Sequence, residues 1–262
     1  MRRLPLSALA FGYAFLYLPI ATVIVYSFNE SRLVTVWSRF STKWWSALFA
    51  NEAMIDAALL SLRIALVNAC AATVLGTLAG IALARHPRFP GRALFVALVI
   101  APLVMPEVIM GISMLLMFVG LERYVGWPER GFTTIAVAHI TFSLAYVAVV
   151  VQARLANFDR SLEEAAMDLG ARPFTVFRSI TLPLIAPALV SGWLLAFTLS
   201  LDDLILTQFV AGAASQTLPM AVYSSVRLGL NPQINVIATI VIAISTIGLV
   251  TSALLLRRRR RA

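Results

Sequence analysis

Between Leu155 and Pro183 the chain reads LANFDRSLEEAAMDLGARPFTVFRSITLP. Ser161 followed three residues later by Glu164 has the form of a capping box, in which a hydroxyl and a carboxylate satisfy the free N–H groups at a helix start. Leu162, Ala165, Ala166 and Leu169 then recur at i, i+3, i+4 and i+7, the spacing of one helical face. Gly170 supplies a stop, and Pro173 is placed to begin a second helix. The stretch therefore predicts a short amphipathic helix over 161–170, within a loop spanning 157–183. A helix of about two turns is not stable alone in water. It has to rest on lipid, on its own bundle or on another protein. The small alanines on its face favour close docking on a protein, since a lipid-lying helix carries bulkier side chains.

What flanks this loop is strongly apolar. The 262 residues are 60% hydrophobic and 13% charged, with a mean hydropathy of +0.89. Soluble domains carry about a quarter charged residues, so the composition predicts an all-α integral membrane protein forming a single transmembrane domain over 1–262. Six stretches reach the roughly 20 residues needed to cross about 30 Å of hydrocarbon: 8–28, 57–84, 93–119, 132–153, 184–211 and 233–256. The first follows Met1-Arg2-Arg3 in the manner of a signal peptide. Its apolar run is longer than the roughly 7–15 residues of one, Pro19 lies inside it, and no small-residue cleavage site follows near Phe28. It is read as a retained span.

Basic residues set the expected orientation. With the N-terminus inside, fourteen of the 21 Lys and Arg residues fall on inner segments, including Arg85, Arg88, Arg92, Arg154, Arg172 and the Arg257–Arg261 run. Six fall on outer loops, and Arg63 lies within the second span. The positive-inside bias thus predicts a multi-pass protein with both termini in the cytoplasm. A basic run directly after a span marks the lipid headgroup zone, so the pI of about 10.8 points to the lipid bilayer and not to nucleic acid. Cys70 has no partner cysteine, which excludes a disulfide framework.

Three acids fall within the spans: Glu107, directly after Pro106 in APLVMPEVIMG, and the adjacent Asp202 and Asp203 in LAFTLSLDDLILTQF. A charged Asp at the centre of a membrane helix costs about 2.5–3.5 kcal/mol on insertion scales. Either the acids line a pathway, or they are structural, pairing with Arg63 or capping a broken helix. Pro102 and Pro106 open the hydrogen-bond ladder of the third span, which is tolerated only against protein or a water-filled cavity. In a regular helix, neighbours point about 100° apart, so Asp202 and Asp203 are expected to have unequal roles, with Asp202 toward the pathway. Ser200 is a further pathway candidate. His139 is either a proton carrier or a hydrogen-bonded packing residue. Trp37, Trp44 and Trp45, on the longest outer segment, form an interfacial belt or offer a face to a cation; Trp45 is the pathway candidate among them. No P-loop, HExxH, GxSxG or CxxC motif is present, so neither a catalytic residue nor a metal site is expected.

Glu164-Ala165-Ala166, three residues, Gly170, nine residues, Ile180, one residue, Leu182-Pro183 matches the cytoplasmic EAA signature of bacterial ABC importer permeases. The chain resembles that family over essentially its whole length. The resemblance implies the type I importer permease fold in the bacterial inner membrane, with six transmembrane helices and a cytoplasmic coupling helix. It implies a heterodimer with a second homologous permease, two ATPase subunits beneath, and a periplasmic binding protein. This chain would bind no cofactor, ATP and Mg residing on the ATPases. Glu164, Ala165, Ala166, Leu169 and Gly170 would form the face that docks on the ATPase.

Within the family, YSFN, LVMPEVIMGISMLL, LEEAAMDLGA and SGWLLAFTLSLDDLILTQFV resemble the polyamine (putrescine or spermidine) permeases. Polyamines are flexible polycations, for which separated acids with apolar surface between them form a suitable path. A sulfate or phosphate permease would gain nothing from three buried negative charges. Two alternatives stay open: the same role for another cargo, such as ferric iron or thiamine, and a proton-coupled secondary transporter using the three acids and His139. An intramembrane hydrolase is disfavoured by the missing motifs.

Overall fold

The structure is a computed structural model that describes residues 3–33, 36–229 and 231–259. The basic positions Arg2, Arg260 and Arg261 lie outside them. In chain order the helices are α1 (Arg3–Tyr26), α2 (Lys43–Phe49), α3 (Glu52–Arg85) and α4 (Arg92–Val104). They continue with α5 (Glu107–Val125), α6 (Phe132–Ala156), α7 (Ser161–Asp168) and α8 (Pro173–Val176). A π-helical turn, Phe177–Thr181, then leads into α9 (Leu182–Leu201), followed by α10 (Ile205–Val210), α11 (Leu218–Leu228) and α12 (Gln233–Arg259). Among the described residues there is no strand, only an isolated antiparallel bridge between Asn29 and Phe40. Five stretches among the described residues are long and apolar enough to cross a membrane: Leu9–Tyr26, Glu52–Arg85, Glu107–Val125, Phe132–Ala156 and Pro173–Leu201. A sixth apolar segment lies within α12.

Two of the expected spans are corrected. The third, 93–119, is not one helix but two, α4 and α5, separated at Met105 and Pro106. Pro106 has no N–H to donate, and its ring pushes the preceding residue out of the helical region. Met105 is accordingly extended, at φ −77° and ψ 136°. The fifth, 184–211, is likewise not continuous: α9 ends at Leu201 and α10 begins at Ile205. The acid pair therefore sits in a gap between helices, and the 100° offset of a regular helix does not apply to it.

Packing divides the chain into two units, residues 1–56 with 221–262, and residues 57–220. In the first unit α1 and α12 lie against each other, and α12 also contacts α2. Asn51 Nδ2 donates to Gln233 Oε1 at 2.9 Å, and Gln233 Nε2 to the Ala47 carbonyl at 3.3 Å. Asn29 is buried and organises the loop before α2: its Nδ2 donates to the Val36 carbonyl, and its Oδ1 accepts from the Ser38 N–H.

In the second unit α6 is the central helix. Val147, Val151 and Leu155 pack with Ala69, Ala72, Ile185 and Ala196. Toward the N-terminal end of α6, Ile135 and Ala138 join Ile64, Met110, Phe118, Leu206 and Val210. Asn68, fully buried, donates from Nδ2 to Ser143 Oγ at 3.0 Å and to the Ala196 carbonyl at 2.7 Å, tying α3, α6 and α9 together. Alanines at Ala69, Ala72 and Ala196 interleave with the larger side chains of the first cluster, as suits helices that approach closely in lipid.

The close approach of α3 to α6 uses Gly76 and Gly80, a small-xxx-small pair on α3. A Cβ at Gly80 would stand 2.8 Å from the Ala148 carbonyl oxygen and 3.0 Å from Val151 Cβ. A Cβ at Gly76 would stand 2.6 Å from Val147 Cβ. Gly80→Leu is thus expected to destabilise the bundle by about 1–3 kcal/mol through overpacking. Thermal denaturation in detergent should show an earlier midpoint for Gly80→Leu than for Gly120→Ala, a position whose Cβ meets nothing within 4 Å. Equal midpoints would mean α3 and α6 can part without cost.

Candidate functional site

The two helix gaps open on one cleft of about 380 Å³, lined by Glu107, Phe142, Leu199, Asp202, Asp203, Leu204 and Ile205. That volume falls within the range of small-molecule clefts, about 300–1,000 Å³. The three intramembrane acids named from the sequence are therefore brought together, from the first turn of α5 and from the junction of α9 and α10.

Their surroundings differ sharply. Asp203 is 9% exposed at its side chain, and its Oδ2 is crowded with donors. It accepts from the Thr207 N–H at 2.7 Å, from Thr207 Oγ1 at 2.6 Å and from His139 Nε2 at 3.2 Å. This carboxylate caps the first turn of α10 with its own short-range bonds, which is how Asp competes with a continuing helix. His139 is 3% exposed and pairs on its other side, through Nδ1, with Ser200 Oγ at 2.7 Å. Its Nε2 also meets Thr207 Oγ1 at 2.9 Å. With the proton on Nε2, the ring donates toward Asp203 and Thr207 and accepts from the Ser200 hydroxyl, so every group in the cluster is satisfied.

Asp202 is exposed to the cleft and accepts no hydrogen bond from another side chain among the described residues. It occupies the C-cap of α9, at φ −98° and ψ −2°. A negative charge at a helix C-terminus meets the negative end of the helix dipole, an unfavourable placement. The fold thus offers Asp202 only its own backbone N–H, no charged partner and no helpful field. Glu107 is also exposed and without an ion pair among the described residues, but it sits in the first turn of α5, where the dipole favours it. Arg63 is exposed and pairs with none of them. The alternative in which the acids pair with Arg63 is therefore not realised.

Ser200, named as a pathway candidate, is buried at 5% exposure, bonded to His139 and absent from the cleft wall. Trp45 belongs to the other unit, where its ring stacks on Phe28 at 5.3 Å and its indole N–H donates to the Ser27 carbonyl at 3.2 Å. Trp44 is buried there, and Trp37 meets Tyr26 edge-on at 5.9 Å. Phe142 was not singled out from the sequence. It lines the cleft beside the acids and contacts Tyr146 edge-on at 5.2 Å, offering an aromatic face to a cation. Thr207 was missed as well, although an acid four residues before a Thr at a helix start is a readable capping signal.

The loop helix α7 is eight residues long, Ser161–Asp168, two residues shorter at its C-terminal end than the expected 161–170. Its N-terminus differs from expectation: Ser161 and Glu164 form no capping box, and Asp159 Oδ1 instead accepts from the Ser161 N–H at 2.9 Å. The same backbone bond, aided by the Ser161 hydroxyl, holds the Asp159 carboxyl below its usual range. At the other end Gly170 takes φ +87°, and a Schellman motif closes the helix: Gly170 N–H bonds the Met167 carbonyl, and Ala171 N–H bonds the Ala166 carbonyl. Pro173 opens α8 as expected. Leu162, Ala165, Met167 and Leu169 are exposed, Leu169 at 90%, as are Glu164 and Gly170, while Ala166 is half-buried. Just beyond, Phe174 is 73% exposed. An apolar face this open on so short a helix is unpartnered among the described residues.

Residues 76–261 match the family described as the binding-protein-dependent transport system inner membrane component, and the chain belongs to it. It is a multi-pass inner-membrane permease subunit with the type I permease fold. Among its relatives, the putrescine transport system permease protein PotI of Escherichia coli K12 is 53% identical over 254 residues, covering 96% of this chain and 90% of PotI. The spermidine/putrescine transport system permease protein PotC of the same strain is 41% identical, covering 94% and 90%. Among solved structures, a bacterial ABC transporter that imports the acidic polysaccharide alginate superposes with a TM-score of 0.76 at 17% identity, over 98% of this chain and 94% of that one. The MetNI methionine ABC transporter gives 0.60 at 19% identity, over 76% and 92%.

Proposed function

We propose that this chain is the transmembrane subunit of an ATP-driven importer that moves polyamines, putrescine or spermidine, into the cytoplasm by alternating access. The observation that carries the reading is the cleft itself. Glu107 and Asp202 face it without partners in a chain 53% identical to a putrescine permease. Around them stand Phe142, Leu199 and Ile205, apolar surface suited to the methylene segments between ammonium groups. The end of α9, which reaches the cleft through Leu199, adds last-turn carbonyls without intrahelical partners, whose partial negative charge also favours a cation.

The chain works with a second homologous permease, two ATPase subunits that carry ATP and Mg, and a periplasmic polyamine-binding protein. Both termini lie in the cytoplasm, which puts α7 on that side. Its exposed Leu162, Ala165 and Leu169, with Glu164 and Gly170 beside them, dock on an ATPase. Asp203 and Ser200, held by His139, position the α9–α10 junction so that Asp202 stands in the pathway.

The test is uptake of radiolabelled putrescine and spermidine by a strain lacking its own polyamine importers, with this chain expressed beside its partner subunits. Uptake of at least one polyamine is expected, and it should vanish when the ATPase is inactivated. Absence of both uptakes would sink the polyamine reading. Uptake surviving ATPase inactivation would instead favour a secondary transporter.

A further inference from the structure

Glu163, not its neighbour Glu164, ties α7 to the rest of its unit. Glu163 Oε1 accepts from Arg85 Nη2 at 2.6 Å and from Thr181 Oγ1 at 2.5 Å. Arg85 is the last residue of α3, and its guanidinium also lies over the Phe158 ring, 5.4 Å from the centroid. Thr181 closes the π-helical turn that leads into α9, a kind of irregularity often found where a helix serves function. A single carboxylate oxygen thus joins the ends of two spanning helices to the short helix between them. The pair is sheltered, with side-chain exposures of 15% for Arg85 and 16% for Glu163. A second tie lies just before α7, where Arg160 Nη2 donates to the Ala84 carbonyl at 3.1 Å. Glu164, by contrast, is exposed and bonded to nothing among the described residues.

An eight-residue helix has no rigidity of its own in isolation. Any push on its outer face reaches the spans only through such contacts. We infer that Glu163 is the positioning residue through which movement of α7 is passed to α3 and α9, and that this transmission depends on its negative charge. The inference rests on the importer reading above. Because Arg85 and Thr181 share one acceptor atom, displacing that atom acts on both helices at once. The α9 helix so reached ends at Asp202, which links the joint to the cleft.

The experiment uses the assembled importer in lipid nanodiscs and proteoliposomes, comparing wild type with Glu163→Gln and with the exchanged pair Arg85→Glu/Glu163→Arg. Two quantities are read: amide hydrogen exchange over residues 161–168, and polyamine taken up per ATP hydrolysed. Glu163→Gln is expected to speed exchange at least tenfold and to lower uptake per ATP at least fivefold while hydrolysis continues. The exchanged pair is expected to regain at least half of the wild-type ratio, which a merely destabilised loop would not do. If Glu163→Gln fails to assemble, Thr181→Val removes one donor, keeps the ion pair and should shift both quantities less in the same direction. Wild-type exchange and wild-type uptake per ATP in Glu163→Gln would overturn the inference. No ATP-dependent uptake by wild type would remove the importer reading and the coupling role with it, while exchange still reports whether Glu163 holds α7.

Discussion

Neutralising the cleft with Asp202→Asn and Glu107→Gln together is expected to lower uptake at least 100-fold at sub-saturating substrate, with the protein still inserted and assembled. Each charged hydrogen bond to an ammonium group is worth about 1.5–3 kcal/mol. Two lost together amount to about 3–6 kcal/mol, and each 1.4 kcal/mol is a factor of ten. The fold should tolerate the change because neither carboxylate holds a partner among the described residues. Removing the charge from Asp202 even relieves its adverse position at the end of α9. Asp203→Asn should behave differently. It weakens the cap of α10 and the bond to His139, so its first symptom is a lower thermal midpoint. Wild-type uptake by the double variant, measured in proteoliposomes, would take the acids out of the pathway.

Gly170→Trp is expected to cut uptake more than tenfold while ATP hydrolysis persists, whereas Gly170→Ala costs less than threefold. The two substitutions share the penalty of an L side chain at φ +87°, about 1–2 kcal/mol. They differ in what projects beyond the Cβ. Within the chain nothing lies within 4 Å of that Cβ, so the indole has room in the subunit alone. It obstructs only a surface brought against α7 from outside. A ratio near one between Trp and Ala would show that strain, and not docking, sets the effect. The comparison is made on the reconstituted importer, reading hydrolysis and uptake in the same vesicles.

The spans, the loop helix and the acids were legible because each is written in local spacing: apolar runs of about 20 residues, a heptad-like face, a glycine stop. What was not legible lay either in competition between neighbouring groups or in partners far apart in sequence. The capping box at Ser161 was a reasonable expectation, yet Asp159, two residues upstream, reaches the same N–H first. The proline pair in the third span signalled irregular backbone but not a complete separation of α4 from α5. In the fifth span the helix-capping Asp was one of two readings of SLDDL, and only the fold decides between them, because the cap is completed by His139, 64 residues from Asp203. Glu163 was passed over for Glu164 for the same reason. Its partners lie 78 residues upstream and 18 residues downstream, and only folding brings them to one oxygen. Gly76 and Gly80 were readable as a packing motif at i and i+4, though the composition argument did not need them.

The interruptions at Met105–Pro106 and Asp202–Leu204 also govern how the membrane-embedded part can flex. Bending a continuous helix stretches its ladder of backbone bonds, which in lipid have no water to replace them. At these two places the ladder is already open, so turning one segment against the next costs torsion and little else. The spans are jointed rods, with their joints set at the level of the acids. The wall of the cleft can therefore change shape during a transport cycle without any helix being unwound.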